Sequence, residues 1–296
     1  MTSSGLEPQQ NGSDLAQQPV GIVGLGLIGG SLGLDLQARG LEVRALVHRS
    51  STADRARERG LAQRVDTNPA VLQGCGLIVL ALPLDRLLDP PLELREALPA
   101  EAVITDVGSV KQPVLERWRA WHPRFVASHP MAGTAEAGVE AGLAGLFAGR
   151  PWVATPDAGT DPAALALVRQ LAECVGAQWL PCDAAAHDQA VALISHMPVL
   201  VSAALLEAAD QGGQVAGAAA LVRQLASSGF ADTSRIGGGN PELGSLMARC
   251  NREAVLTALA TYRQQLEQLE QLVQQERWDA LAQRLQGTQA LRPEFI

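Results

Sequence analysis

His129 lies in the run Ala127-Ser128-His129-Pro130-Met131-Ala132-Gly133-Thr134, at the mouth of what reads as a buried strand. A neutral imidazole titrates near neutral pH and can take a proton from a hydroxyl while hydride leaves the same carbon. Upstream stands Gly24-Leu25-Gly26-Leu27-Ile28-Gly29, the glycine spacing of a dinucleotide-binding turn. A nucleotide pocket and a positioned base are the minimal equipment for oxidising an alcohol.

The elements around the glycines suit that reading. Val20-Gly21-Ile22-Val23 is a short apolar run, and residues 31–39 follow the turn at helical spacing. Gly24 permits the turn, Gly26 lets the backbone approach a pyrophosphate, and Gly29 lets helix and strand pack closely. The helix start at Leu27 and Ile28 supplies amide donors for the phosphates. A second strand over residues 41–47 ends in His48-Arg49-Ser50-Ser51, where many NAD binders carry an acid for the ribose 2′-hydroxyl. The nearest acid, Asp54, comes later. Arg49 with its neighbouring hydroxyls would instead attract a 2′-phosphate, so the expected cofactor is NADP.

Further strands are expected over residues 77–82, 102–106, 124–128, 152–155 and 178–180, with helices over 113–121 and 161–175. This alternation predicts an α/β fold with a Rossmann-type, doubly wound, mostly parallel sheet and its ligand at the carboxyl ends of the strands. Leu82-Pro83, Asp106-Val107-Gly108-Ser109 and Ser128-His129 occupy three such ends. After Asp183 the pattern becomes helical. A long helix is expected over 184–209, with Pro198 a kink and His187 and His196 on opposite faces, hence sharing no metal. Asn240 and Pro241 read as the start of another helix. Val255, Leu259, Tyr262, Leu266, Leu269 and Val273 alternate four and three apart, a coiled-coil-like seam compatible with a homodimer or with packing inside the subunit. The expected division is a disordered tail (1–18), a dinucleotide-binding domain (19–183) and an all-α substrate and dimerisation domain (184–296).

A net charge of −8 and an aromatic share of 3% argue against nucleic acid and anionic membranes as partners. No apolar run reads as long enough to span a bilayer. The four cysteines show no metal-ligand spacing and read as reduced thiols of a cytoplasmic protein. Among 23 basic residues Lys111 is the single lysine, which suggests a site that needs a compact ammonium rather than a guanidinium fork.

Taken in order, Gly24–Gly30, Thr105-Asp106-Val107-Gly108-Ser109-Val110-Lys111, Ser128–Thr134, Ser195-His196-Met197-Pro198 and Thr233-Ser234-Arg235 resemble the prephenate/arogenate dehydrogenase family of tyrosine biosynthesis. The run Gly237-Gly238-Gly239-Asn240-Pro241-Glu242-Leu243-Gly244 looks most like its NADP-using, cyanobacterial arogenate branch. The resemblance implies a cyclohexadienol substrate whose hydroxyl-bearing carbon gives hydride to the nicotinamide, followed by loss of carbon dioxide and aromatisation. It implies His129 as the base or hydrogen-bond acceptor for that hydroxyl, and Ser109 as the group that orients its ring or shares contact with the hydroxyl. Arg235 matches a carboxylate-binding arginine, and Thr134 and His196 match positions that face the substrate.

Two positions depart from the family pattern. Ala231 stands where relatives often carry arginine, which leaves a second basic contact in doubt. Val199 follows Pro198 where prephenate-preferring relatives carry a second histidine, which leaves room for the amine of arogenate. Prephenate dehydrogenase, or a cyclohexadienyl enzyme using either substrate, is the alternative activity. A β-hydroxyacid or ketopantoate-type reductase would use a lysine of the helical domain, and the chain has none there. A redox sensor binding NADP(H) would need the nucleotide loop but not His129, Ser109 and Arg235 together.

Overall fold

A computed structural model describes residues 14–134 and 136–295. Six parallel strands form the main sheet: β1 (Val20–Val23), β2 (Val43–Leu46), β3 (Arg64–Asp66), β4 (Leu77–Leu80), β5 (Val103–Asp106) and β6 (Phe125–Val126), in the order β3-β2-β1-β4-β5-β6. The inner strands are continuous apolar runs because both of their faces are covered. Val20, Ile22, Leu77, Val79 and Val103 face one core with Leu32, Leu36 and Leu167, whereas Val23, Ile78, Leu80 and Ile104 face a second with Val114 and Trp118. The strand order reverses between β1 and β4, and a crevice at such a reversal is where doubly wound sheets hold ligands.

Residues 124–128, expected as one strand, divide between two sheets. β6 ends at Val126, and β7 (Ser128–Pro130) pairs antiparallel with β8 (Pro151–Ala154), which pairs parallel with β9 (Gln178–Pro181). Asp106 replaces the lost ladder. Its Oδ1 accepts from the Ser128 amide at 3.1 Å, and its carbonyl accepts from Ser128 Oγ at 2.8 Å. His129 is thereby carried away from the main sheet at its carboxyl edge.

The helical part begins at Ala184, runs as an α-helix to Val191, widens into a π turn at Ala192–His196 and resumes as Met197–Val215. Pro198 has no N–H and its ring crowds the carbonyl four residues back, so the extra residue per turn accommodates it. By length and composition this stretch is apolar enough to cross a membrane, and most of its apolar part is not buried within the subunit. The sequence expectation that no such run exists is therefore corrected: small apolar residues separated by few charges sustain the average.

The expected disordered tail is also corrected in part. Asp14 caps a short 3₁₀ turn, Leu15–Gln17, and Leu15 is buried in the first core. The Leu15 amide donates to Gln170 Oε1 at 3.2 Å. The remainder, 1–13, lies outside the described residues.

Candidate active site

Gly24 leaves β1 at φ +94°, where a Cβ would strike the Ala81 carbonyl oxygen, and a Cβ on Gly29 would strike the Gly24 carbonyl oxygen. Both glycines are explained by packing inside the chain. Gly26 is not, because a Cβ there would meet nothing within 4 Å. It lies at the N-cap of the helix Leu27–Gln37, which no side chain caps. An open space above uncapped amides and a positive helix end suits a pyrophosphate, so this turn fits a dinucleotide. Leu82 and Pro83, just past β4, are accessible on the neighbouring turn.

The next βα turn holds His48, Arg49 and Ser50, all exposed. Arg49 is the N-cap of the helix Ser50–Glu58, again without a side-chain cap. Among the described residues Arg49 has no ion pair, whereas Asp54 is taken up by Arg57 at 2.7 Å. A free guanidinium beside an uncapped helix start can receive a phosphate monoester.

His129 lies on β7 opposite Val153 and keeps partial solvent access. Its Nδ1 is 3.0 Å from His187 Nε2, and His187 Nδ1 is 2.8 Å from Asp188 Oδ1. Burial, then the Lys111 ammonium, then His187 and His196 hold the His129 pKa well below the ordinary histidine value. This favours the neutral ring.

Lys111 is fully buried and bonded to the equally buried Asp106 carboxylate and, at 2.7 Å, to the Ser128 carbonyl oxygen. Burial pushes the Asp106 carboxyl up and the Lys111 ammonium down; each is the chief force opposing the shift in the other.

His196 sits against the same cluster. Asn251 Nδ2 reaches both the Asp188 carbonyl oxygen, at 2.7 Å, and His196 Nδ1, at 3.2 Å. Burial lowers the His196 pKa to about 4, Asp188 opposing the shift and His187 adding to it. The expectation that His187 and His196 lie on opposite faces is thus overturned. Nine residues of ideal α-helix would separate them by half a turn, and the intervening π turn changes the phase.

Among the described residues seven buried side-chain polar atoms lack a hydrogen-bond partner of good geometry, and two of them, Ser109 Oγ and His196 Nε2, belong to this cluster, where the Ser109 backbone also lies against the His196 ring. Buried polar atoms are rarely left unpaired, and a ligand's polar groups would complete these two. Thr134 and Arg235 stand further out. Thr134 is exposed, and its Oγ1 accepts from the Glu136 amide at 3.2 Å. Arg235 is exposed at the start of the 3₁₀ turn Arg235–Gly238, which is pinned by the Gly237 amide donating to Ser202 Oγ at 2.8 Å. Sequence reasoning did not select Asp106, His187, Asp188 or Asn251 for the site. The available signal was Pro198, whose ring disturbs the turn that brings His187 and His196 together.

A doubly wound parallel sheet, an open glycine turn and a neutral imidazole at its carboxyl edge suit a nucleotide-dependent dehydrogenase. Comparison with known proteins narrows the class. Residues 32–180 match the nucleotide-binding domain of prephenate dehydrogenase, and residues 183–287 match the prephenate dehydrogenase dimerization domain. Cyclohexadienyl dehydrogenase of Zymomonas mobilis is 30% identical over 279 residues, 92% of this chain and 94% of that protein. The crystal structure of Synechocystis arogenate dehydrogenase superposes with a TM-score of 0.78 at 41% identity, covering 94% of this chain and 100% of the other. Prephenate dehydrogenase from A. aeolicus, in complex with hydroxyphenyl propionate and NAD+, superposes with a TM-score of 0.84 at 26% identity, covering 96% and 100%. The chain belongs to the prephenate dehydrogenase family.

Proposed function

We propose that the chain converts L-arogenate to L-tyrosine by oxidative decarboxylation, with NADP as hydride acceptor. The observation that carries this reading is the pair of unpartnered atoms, Ser109 Oγ and His196 Nε2, in one cluster with the neutral ring of His129. NADP, when bound, accepts hydride from the ring carbon that bears the hydroxyl. His129 takes the hydroxyl proton through its free ring nitrogen, a contribution of about 10²–10⁴-fold for general-base help. Ser109 contacts the same hydroxyl, and His196, Thr134 and Arg235 receive the substrate's other polar groups, Arg235 as the carboxylate anchor. The carboxylate lost as carbon dioxide leaves its electrons in the ring, which becomes aromatic.

Arg49 supports NADP over NAD. Val199, an apolar residue after Pro198, supports the amino acid over the keto acid, as does the 41% identity with an arogenate dehydrogenase. A homodimer through the helical domain is part of the same reading. Ile194, Leu266 and Val273 are 57%, 52% and 49% exposed, apolar side chains that a second copy of the chain would cover. The four free cysteines suit a cytoplasmic setting.

The test is absorbance at 340 nm with arogenate or prephenate, each against NADP and NAD. Arogenate with NADP is expected to give the highest kcat/KM. A preference for prephenate would transfer the assignment to prephenate or cyclohexadienyl dehydrogenase, and nucleotide binding without any turnover would favour a sensor.

A further inference from the structure

We infer that His187 and Asp188 are positioning residues that fix the tautomer of His129, leaving Nε2 as its proton-accepting nitrogen. The inference rests on His129 being the base and follows from which atoms can donate. Asp188 Oδ1 accepts from the Lys111 amide at 2.7 Å, and Oδ2 accepts from the Gln112 amide at 2.9 Å, at the start of the helix Gln112–Arg119. Both of its oxygens already accept from backbone N–H groups at a helix start, so neither is left to donate to His187. The hydrogen on the 2.8 Å contact therefore belongs to His187 Nδ1. With the His187 hydrogen on Nδ1 its Nε2 accepts, and the 3.0 Å contact to His129 requires one hydrogen between two nitrogens. It belongs to His129 Nδ1, so His129 Nε2 carries a lone pair.

The same chain of bonds resists a ring flip, because turning His129 over would put a carbon against His187 Nε2. The two imidazoles stand at 77°, with centroids 5.2 Å apart, so His187 is also a wall against the His129 ring. Other groups facing His129 do not compete for Nδ1. The Lys111 ammonium is committed to Asp106 and the Ser128 carbonyl, and Asn251 holds His196 Nδ1. When His129 takes a proton on Nε2, its Nδ1–H already points at His187, whose own N–H points at Asp188. The new charge is thus connected to a carboxylate through two hydrogen bonds.

Long-range proton–nitrogen correlation spectra of the full chain at neutral pH read the tautomer directly, with the His129 signals assigned by their loss in His129→Asn. A protonated Nδ1 and bare Nε2 are expected; a protonated Nε2 overturns the inference. Two variants add kinetic readouts. His187→Phe keeps a ring but removes the acceptor, and Asp188→Asn can turn an amide donor toward His187 and invert both rings. Each should retain NADP affinity and substrate KM while lowering kcat about 10²-fold, and the His129 spectrum should shift toward protonated Nε2. A variant with native NADP affinity and wild-type kcat overturns the relay. His129→Asn with undiminished turnover would instead remove the base assignment, and the wild-type spectrum would still decide the tautomer.

Discussion

Lys111 Nζ donates to the Ser128 carbonyl oxygen at 2.7 Å, and neither residue reaches solvent. The one lysine of the chain thus holds the peptide that leads into His129. Its second partner, Asp106, bonds the Ser128 amide, so ammonium and carboxylate grip both ends of one residue. Removing one member of a buried pair leaves the other charged and unpaired, at a cost of about 3–5 kcal/mol. Lys111→Met should therefore melt at a markedly lower temperature. Lys111→Arg keeps the charge but needs more room than a fully enclosed site has, and should lose about 1–3 kcal/mol along with part of kcat. Unchanged melting and kinetics in Lys111→Arg would end the view that the site requires a compact ammonium.

Gly26 and Gly29 make a contrasting pair. A methyl at Gly26 meets no atom of the chain, so Gly26→Ala should fold with an unaltered melting temperature yet bind NADP at least tenfold more weakly. A methyl at Gly29 collides with the Gly24 carbonyl, so Gly29→Ala should be destabilised even without nucleotide. Calorimetric titration and thermal melts separate the two effects. Equal nucleotide affinity in Gly26→Ala and wild type would show that the turn is not the phosphate cradle.

Acid should unfold the protein through its buried histidines. His196 has a folded pKa of about 4 against an ordinary 6.5, and that of His129 is also lowered. Between those values the unfolded chain binds more protons than the native one, so stability falls as pH drops from 6.5 toward 4. For His196 the limiting loss is on the order of 3 kcal/mol. Urea midpoints measured from pH 7.5 to 4.5 should decline, and His196→Asn should flatten the curve. A wild-type profile that is level across this range would contradict the buried neutral state.

Arg49 offers a cofactor test independent of the chemistry. Arg49→Ala should lower affinity for NADP about 10- to 100-fold while leaving NAD within a factor of two or three, because only the 2′-phosphate is affected. Equal losses for both nucleotides would deny the side chain its proposed role.

The exposed apolar residues of the long helix Arg252–Gln274 predict a concentration-dependent assembly. Leu266→Asp combined with Val273→Asp should convert a dimer to a monomer in light scattering, while each subunit keeps its nucleotide affinity. A wild-type chain that is monomeric at micromolar concentration would remove the dimer from the proposal.

The sheet was readable because its inner strands are buried on both faces and spell themselves as apolar runs between turns. The glycine turn was readable for the same local reason. The break at Ala127 was not, since the bonds that end β6 come from Asp106, a residue distant in sequence. His129 and Ser109 were nominated by their motifs; the structure has Ser109 in the turn after β5 and His129 within β7 of the second sheet. His187 and Asp188 were passed over because an ideal 3.6-residue period assigns His187 and His196 to opposite sides. Periodicity cannot announce a turn that holds one residue more than its neighbours.

That surplus residue at Ala192–His196 also ties the domain junction to Pro198. Deleting one position there would let the helix close into its regular pitch, while the residues beyond it would keep their phase, because the wide turn absorbs the extra residue. The Pro198 ring would then crowd the carbonyl four residues back without the room the wide turn gives it. Shortening this segment by a single codon should therefore bend the helix at Pro198 and strain the contact between His196 and Asn251, although no atom of the nucleotide turn has been touched.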